Sequence, residues 1–152
     1  MTAFLVAGAV VLLLWVVFNI AAPYAVLLKA ERISPGRLPA ELLMWKRDRK
    51  VQFYMTILRG GYGYSVFSPG LHLVIFDRAF FARASPALIR FVVAHELAHF
   101  HQGHHRMRWF AVVTGFVLFP FVRRWLLRME DAADAEAEYR TGLCRKLFPE
   151  LR

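Results

Sequence analysis

The pentapeptide His95-Glu96-Leu97-Ala98-His99, inside the apolar run FVVAHELAHFH from Phe91 to His101, constrains this chain more than any other stretch. Residues four apart on a helix lie about 40° apart around its axis, so His95 and His99 share one face. Two neutral imidazoles so placed can reach one zinc ion, each nitrogen about 2.0–2.1 Å from it. Glu96 can lean over the metal's open side and take a proton from a water whose pKa the metal lowers to about 7. His-Glu-x-x-His on a helix therefore reads as a zinc-hydrolase centre with Glu96 as general base. The bland alternative is a helix carrying two polar histidines and a surface glutamate. A zinc hydrolase needs a third protein ligand, which must lie on the same side of any membrane as His95 and His99.

Membrane contact is the second constraint. From Ala3 to Leu28 no residue is charged, and Asn19 is the only strongly polar one. As a helix those 26 residues would extend about 39 Å, enough to cross a hydrocarbon core of about 30 Å with some tilt. Pro23 is expected to kink or end its regular part. The run is too long for a signal peptide and has no basic residue before it, so it reads as a retained anchor. Lys29, Arg32, Arg37, Lys46, Arg47, Arg49 and Lys50 follow it, which by the positive-inside rule places the rest of the chain in the cytoplasm. Hydrophobic residues make up 58% of 152, and the formal charge is +9. With no recognisable nucleic-acid module, that basic balance is assigned to membrane lipid, and no nucleic-acid partner is expected. Cys144 is the only cysteine, so no internal disulfide is available. One transmembrane anchor, residues 1–30, and one domain, residues 31–152, account for the length.

Between anchor and histidines, ISPGRLPAE marks a turn. Ala40 to about Leu58 fits an amphipathic helix roughly, with a basic patch that suits lipid headgroups or plain solvent. Gly60 to Phe76 is rich in glycine, aromatic and β-branched residues. It reads as two short strands, Tyr62 to Phe67 and Leu71 to Phe76, around Ser68-Pro69-Gly70. His72 reads as a strand residue rather than a ligand. Asp77 to Ala84 is a connecting turn with helical character. Ser85 caps the next helix and Pro86 opens it. Gly103 ends it. His101 lies about 200° around from His99 and should miss the same metal; with His104 and His105 it is assigned to the surface or to the surroundings of the ligands.

Downstream, LLRMEDAADAEAEY from Leu126 to Tyr139 is strongly helical. Glu130 and Asp134 lie one turn apart on one face. Glu130 can complete a His, His, Glu ligand set, and Asp134 can accept the outer N–H of a zinc-bound histidine. The alternative is a solvated acidic face paired with Arg123, Arg124 and Arg128. For Glu130 to share a metal with the histidines, the chain between them must cross a membrane an even number of times. Trp109 to Val122, with 14 residues, is too short for two spans of about 20 each, so it is expected to pack on the domain and at most touch the bilayer.

HELAH followed by EDAAD resembles the HExxH…ExxAD pattern of the zinc peptidase family that includes the heat-shock protease HtpX and the CAAX prenyl protease. The likeness runs from about Ser65 to Thr141. It implies an α+β, minimal zincin-like domain: an active-site helix, a small sheet and a downstream glutamate-bearing helix, behind one N-terminal transmembrane helix. It implies Zn2+ held by His95, His99 and Glu130, Glu96 as catalytic base, and Asp134 outside the ligands. Peptide or protein substrate, membrane proteins included, would lie along a sheet edge. Tyr64, Ser65 and Val66 stand where HtpX-like proteins carry Asn-Ala, and the four spans of HtpX are missing. FPFVRRWLLRMEDAAD is also similar to the antirepressor peptidases of β-lactam sensing. An antirepressor-type signalling peptidase and an inactive zinc-holding membrane scaffold are the alternatives; an intact Glu96 argues against the scaffold. Tyr139, Arg140 and His104 are the available donors to an oxyanion.

Overall fold

The computed structural model describes residues 2–45, 51–58, 63–68 and 71–151; side chains are described for most of these, the main exceptions being 64–68 and 105–121. Helix α1 is Thr2–Leu27, and its backbone continues past Pro23 instead of ending there. Most of its described side chains are apolar and exposed, with Val6, Val11, Leu13 and Leu14 each more than 60% exposed. Among the described residues no helix is long and apolar enough to cross a membrane.

The domain that follows is α+β. Its four-stranded sheet has β1 (Glu31–Arg32), β2 (Val51–Thr56), β3 (Gly63–Ser68) and β4 (Leu71–Asp77) in the order β1-β2-β4-β3. Pairs β1–β2 and β3–β4 are antiparallel, and β2–β4 is parallel. The two strands expected from sequence fall within a residue of β3 and β4. The helix expected over Ala40 to Leu58 does not form as such. Among its described residues, α2 (Ala40–Trp45) is helical and Val51–Thr56 is the strand β2, while 46–50 lie outside the described residues. Val51, Phe53 and Met55 are buried while Gln52 and Tyr54 are half-buried, a period of two that belongs to a strand. The aromatic and β-branched side chains of VQFYMT suit that pleated surface better than a helix.

Asp77 ends the sheet and starts α3 (Arg78–Arg83) by accepting the Phe80 N–H at 2.8 Å, and its other oxygen takes the Leu58 N–H at 3.0 Å. Helix α4 (Pro86–His101) is capped as its sequence foretells: Ser85 Oγ accepts from the Leu88 N–H, with Pro86 in the first turn. Every residue from Phe91 to Phe100 is buried, so α4 is the central helix of the core. Each large apolar side chain there contributes about 1.5–3 kcal/mol by leaving water, which offsets the cost of burying His95, Glu96 and His99 among them.

Gly103, at φ 72°, ends α4, and helical backbone resumes from His104 to Thr141 as α5. A straight helix would hold His104 and Glu130 about 39 Å apart. Both touch His99, and the Gln102 side-chain amide donates to the Ala132 carbonyl at 3.2 Å. The helical stretch must therefore fold back between its start and Glu130, a stretch in which Gly115 and Pro120 are the helix-weakening residues. The side chains of Trp109 to Phe121, expected to pack on the domain, lie outside the described set. On the returning arm Met129, Ala133, Ala137 and Thr141 recur every four residues and are all buried. The two alanines, fully enclosed, let this arm lie close against α4.

Candidate metal centre

That close packing brings the two halves of the site together. His95 and His99 project from α4 one turn apart, and their Nε2 atoms are 3.1 Å from each other. Glu130 Oε2, from the returning arm of α5, is 3.3 Å from His95 Nε2 and 3.6 Å from His99 Nε2. A tetrahedral ion with bonds of about 2.0–2.1 Å requires neighbouring donors about 3.3–3.4 Å apart. Edges of 3.1, 3.3 and 3.6 Å make a triangle of that size, and the three residues could hold a metal ion. The donor set suits a borderline cation such as zinc.

Each histidine has its far nitrogen engaged. His95 Nδ1–H donates to Asp134 Oδ1 at 2.8 Å, the bond expected from sequence. His99 Nδ1 lies 3.0 Å from His104 Nδ1. With its Nε2 turned to the shared site, His99 has Nδ1 left for this contact, in which either ring can carry the proton. His104 thus joins the surroundings of the ligands, while His101 is exposed and stays out, as its helical position requires. Glu96 is buried beside His95, at 4% exposure. Neither Tyr139, 85% exposed, nor Arg140, whose Nε donates to Glu136 at 2.7 Å, is among the residues gathered there. The acidic face does pair with an arginine, but that partner of Asp134 is Arg145. Sequence offered no signal for it beyond its position after the helix stop at Gly142.

Electrostatics follow from this packing. Burial opposes charge on His95, yet its hydrogen bonds to Asp134 and then Glu130 outweigh that and raise its pKa to about 9. Glu130 is held far below the usual carboxylate range by hydrogen bonds from His95 and His99. Asp134 is pushed up by burial but lowered further by His95 and Arg145, with a net fall. The positive charge favoured on His95 thus lies between these two carboxylates.

The arrangement is a buried His, His, carboxylate triangle with a second carboxylate beside it, set between a small sheet and a folded-back helix. Comparison with curated proteins finds no match. A model of peptidase family M48 matches residues 49–148, which contain every element from β2 to the end of α5. Peptidases of this family are typically metal-dependent. With two thirds of its length covered, and the three candidate donors inside the matched region, the chain belongs to peptidase family M48.

Proposed function

We propose that the chain is a membrane-anchored zinc endopeptidase whose metal is held by His95, His99 and Glu130. The observation that carries this reading is the donor triangle, whose edges fit a tetrahedral ion and whose members come from two separate elements. Zinc, when bound, would supply Lewis acidity for the scissile carbonyl and for the attacking water. The chain's own residues do the remainder. Glu96 takes the proton from that water on a carboxylate oxygen and returns it to the leaving amine. Asp134 holds His95 in the tautomer that leaves Nε2 free, and His104 does the same for His99. β3 is the sheet edge that packs beside α4 and α5, so an extended substrate paired with its open backbone groups would lie near the metal. Backbone pairing of that kind carries little sequence preference.

Anchoring rests on the uncharged run from Ala3 to Leu28 and on the exposed apolar side chains of α1. The basic residues after it support a cytoplasmic domain. Membrane lipid and peptide or protein substrates, membrane proteins among them, are the partners. Purified chain should contain one zinc and hydrolyse peptide. Glu96→Ala should keep the zinc and lose hydrolysis by several orders of magnitude. Activity within about tenfold of wild type would remove Glu96 from that role. Release of the chain from membranes by alkaline carbonate would remove the anchor.

A further inference from the structure

Beyond Thr141 the chain turns back toward the metal centre, and the turn is built from local chemistry. Gly142 adopts φ 68°, a conformation that other residues rarely take, and stops α5. Thr141 Oγ1 donates to the Ala137 carbonyl at 2.7 Å and accepts the Leu143 N–H at 3.2 Å. The Arg145 N–H then reaches back to Glu138 Oε1 at 3.1 Å. Phe148 and Leu151 enter the core, with the Phe148 ring 5.5 Å from that of Phe91. The backbone of Arg145 is thereby pinned on both sides.

Its guanidinium faces two acceptors. One terminal nitrogen donates to Asp134 Oδ2, and the other donates to the Leu151 carbonyl at 3.2 Å. Asp134 is thus held at both oxygens, Oδ1 by His95 and Oδ2 by Arg145. A carboxylate gripped at both ends has one orientation. Released at Oδ2, it could swing toward solvent and let the His95 ring turn.

We propose that Arg145 is a positioning residue for metal binding, acting on the ligand His95 through Asp134. It rests on the metal centre proposed above and adds a layer outside it. The Arg145 side chain is 41% exposed, so its attraction for Asp134 is partly screened by water. Its effect lies in geometry: a planar fork that spans Asp134 and Leu151 at once, which a lysine cannot do. The segment from Gly142 to Leu151 is therefore coupled to how well the metal is held.

A double-mutant cycle on zinc affinity tests this, using full-length protein in detergent and a chromophoric chelator as competitor. Removing a group that orients a metal-bound histidine costs about 10–100-fold in affinity, so Asp134→Ala should lose that much. Arg145→Ala, one step further out, should lose about 3- to 10-fold, and nothing more in the Asp134→Ala background. Equal losses in both backgrounds, or none in either, overturn the proposal, because Arg145 would then act through the fold or not at all. If Arg145→Ala does not fold, Arg145→Lys replaces it in the cycle. It keeps the charge and loses the fork, and the same coupling is expected at about two- to threefold. Wild-type protein that binds no zinc would overturn the metal centre itself, a result distinct from an additive cycle.

Discussion

Raising the pH of the zinc-free protein from about 6.5 to about 9 should destabilise it, because His95 is held charged by its surroundings. Its pKa is raised from 6.5 to about 9 in the folded chain. Between those values the folded state keeps a proton that the unfolded state has lost, so stability falls as pH rises. The contribution is fully present below 6.5 and gone above about 9. At about 1.36 kcal/mol per unit, the loss is about 3 kcal/mol. His95 is 5% exposed, so solvent screening removes little of this. The lowered pKa of Glu130 describes the same interaction and is not added. For a chain of this length, about 3 kcal/mol is about 6–12 °C in Tm. The assay is thermal melting by circular dichroism of the full chain in detergent, with chelator or with saturating zinc. Zinc removes the His95 proton in the folded state, so this group imposes no slope on the zinc-saturated protein over the same window. The two curves should diverge toward pH 9, with the chelated one falling. In Asp134→Asn, which loses the leading source of the raised pKa, the fall should shrink. A chelated Tm that is level or rises between pH 6.5 and 9 would refute the reasoning.

Three further outcomes follow from the packing. In Gly63→Ala the new Cβ would sit 2.9 Å from Phe76 Cδ1 and 3.1 Å from the Ile75 carbonyl, and Phe76 is enclosed. The cost should be about 1–3 kcal/mol by denaturant unfolding, and unchanged stability would contradict the β3–β4 register. His104→Ala should weaken zinc binding about tenfold by chelator competition, since His99 loses the acceptor of its outer N–H; full affinity would remove His104 from that role. With Cys144 replaced, cysteines introduced at Gln102 and Glu150 should label from the same side of the membrane. Labelling from opposite sides would break the link between His99 and Glu130.

Much of the site was legible because its logic is local. The i, i+4 spacing of His95 and His99, the Ser85-Pro86 start, the Gly103 stop and the one-turn pairing of Glu130 with Asp134 all follow from helix geometry. The hydrogen bond of Asp134 to His95 joins residues 39 apart, yet it could be anticipated because a metal-bound imidazole requires an outer acceptor. Strands β3 and β4 announced themselves through glycine, proline and β-branched residues around a turn. The strand β2 did not. Its apolar positions fit a helix about as well as a strand over so few residues, and only pairing with β4 decides between them.

What tertiary structure alone decided is where distant segments meet. No local rule tells that α5 folds back between His104 and Glu130, so that its first residue and its twenty-seventh touch the same histidine. None tells that Arg145, after the helix has ended, returns to grip Asp134. Sequence set the chemistry of each element through the spacing and type of its side chains. The donor triangle forms because the arm of α5 that carries Glu130, with Ala133 and Ala137 fully enclosed, packs against α4, and that closeness depends on every element packed around them.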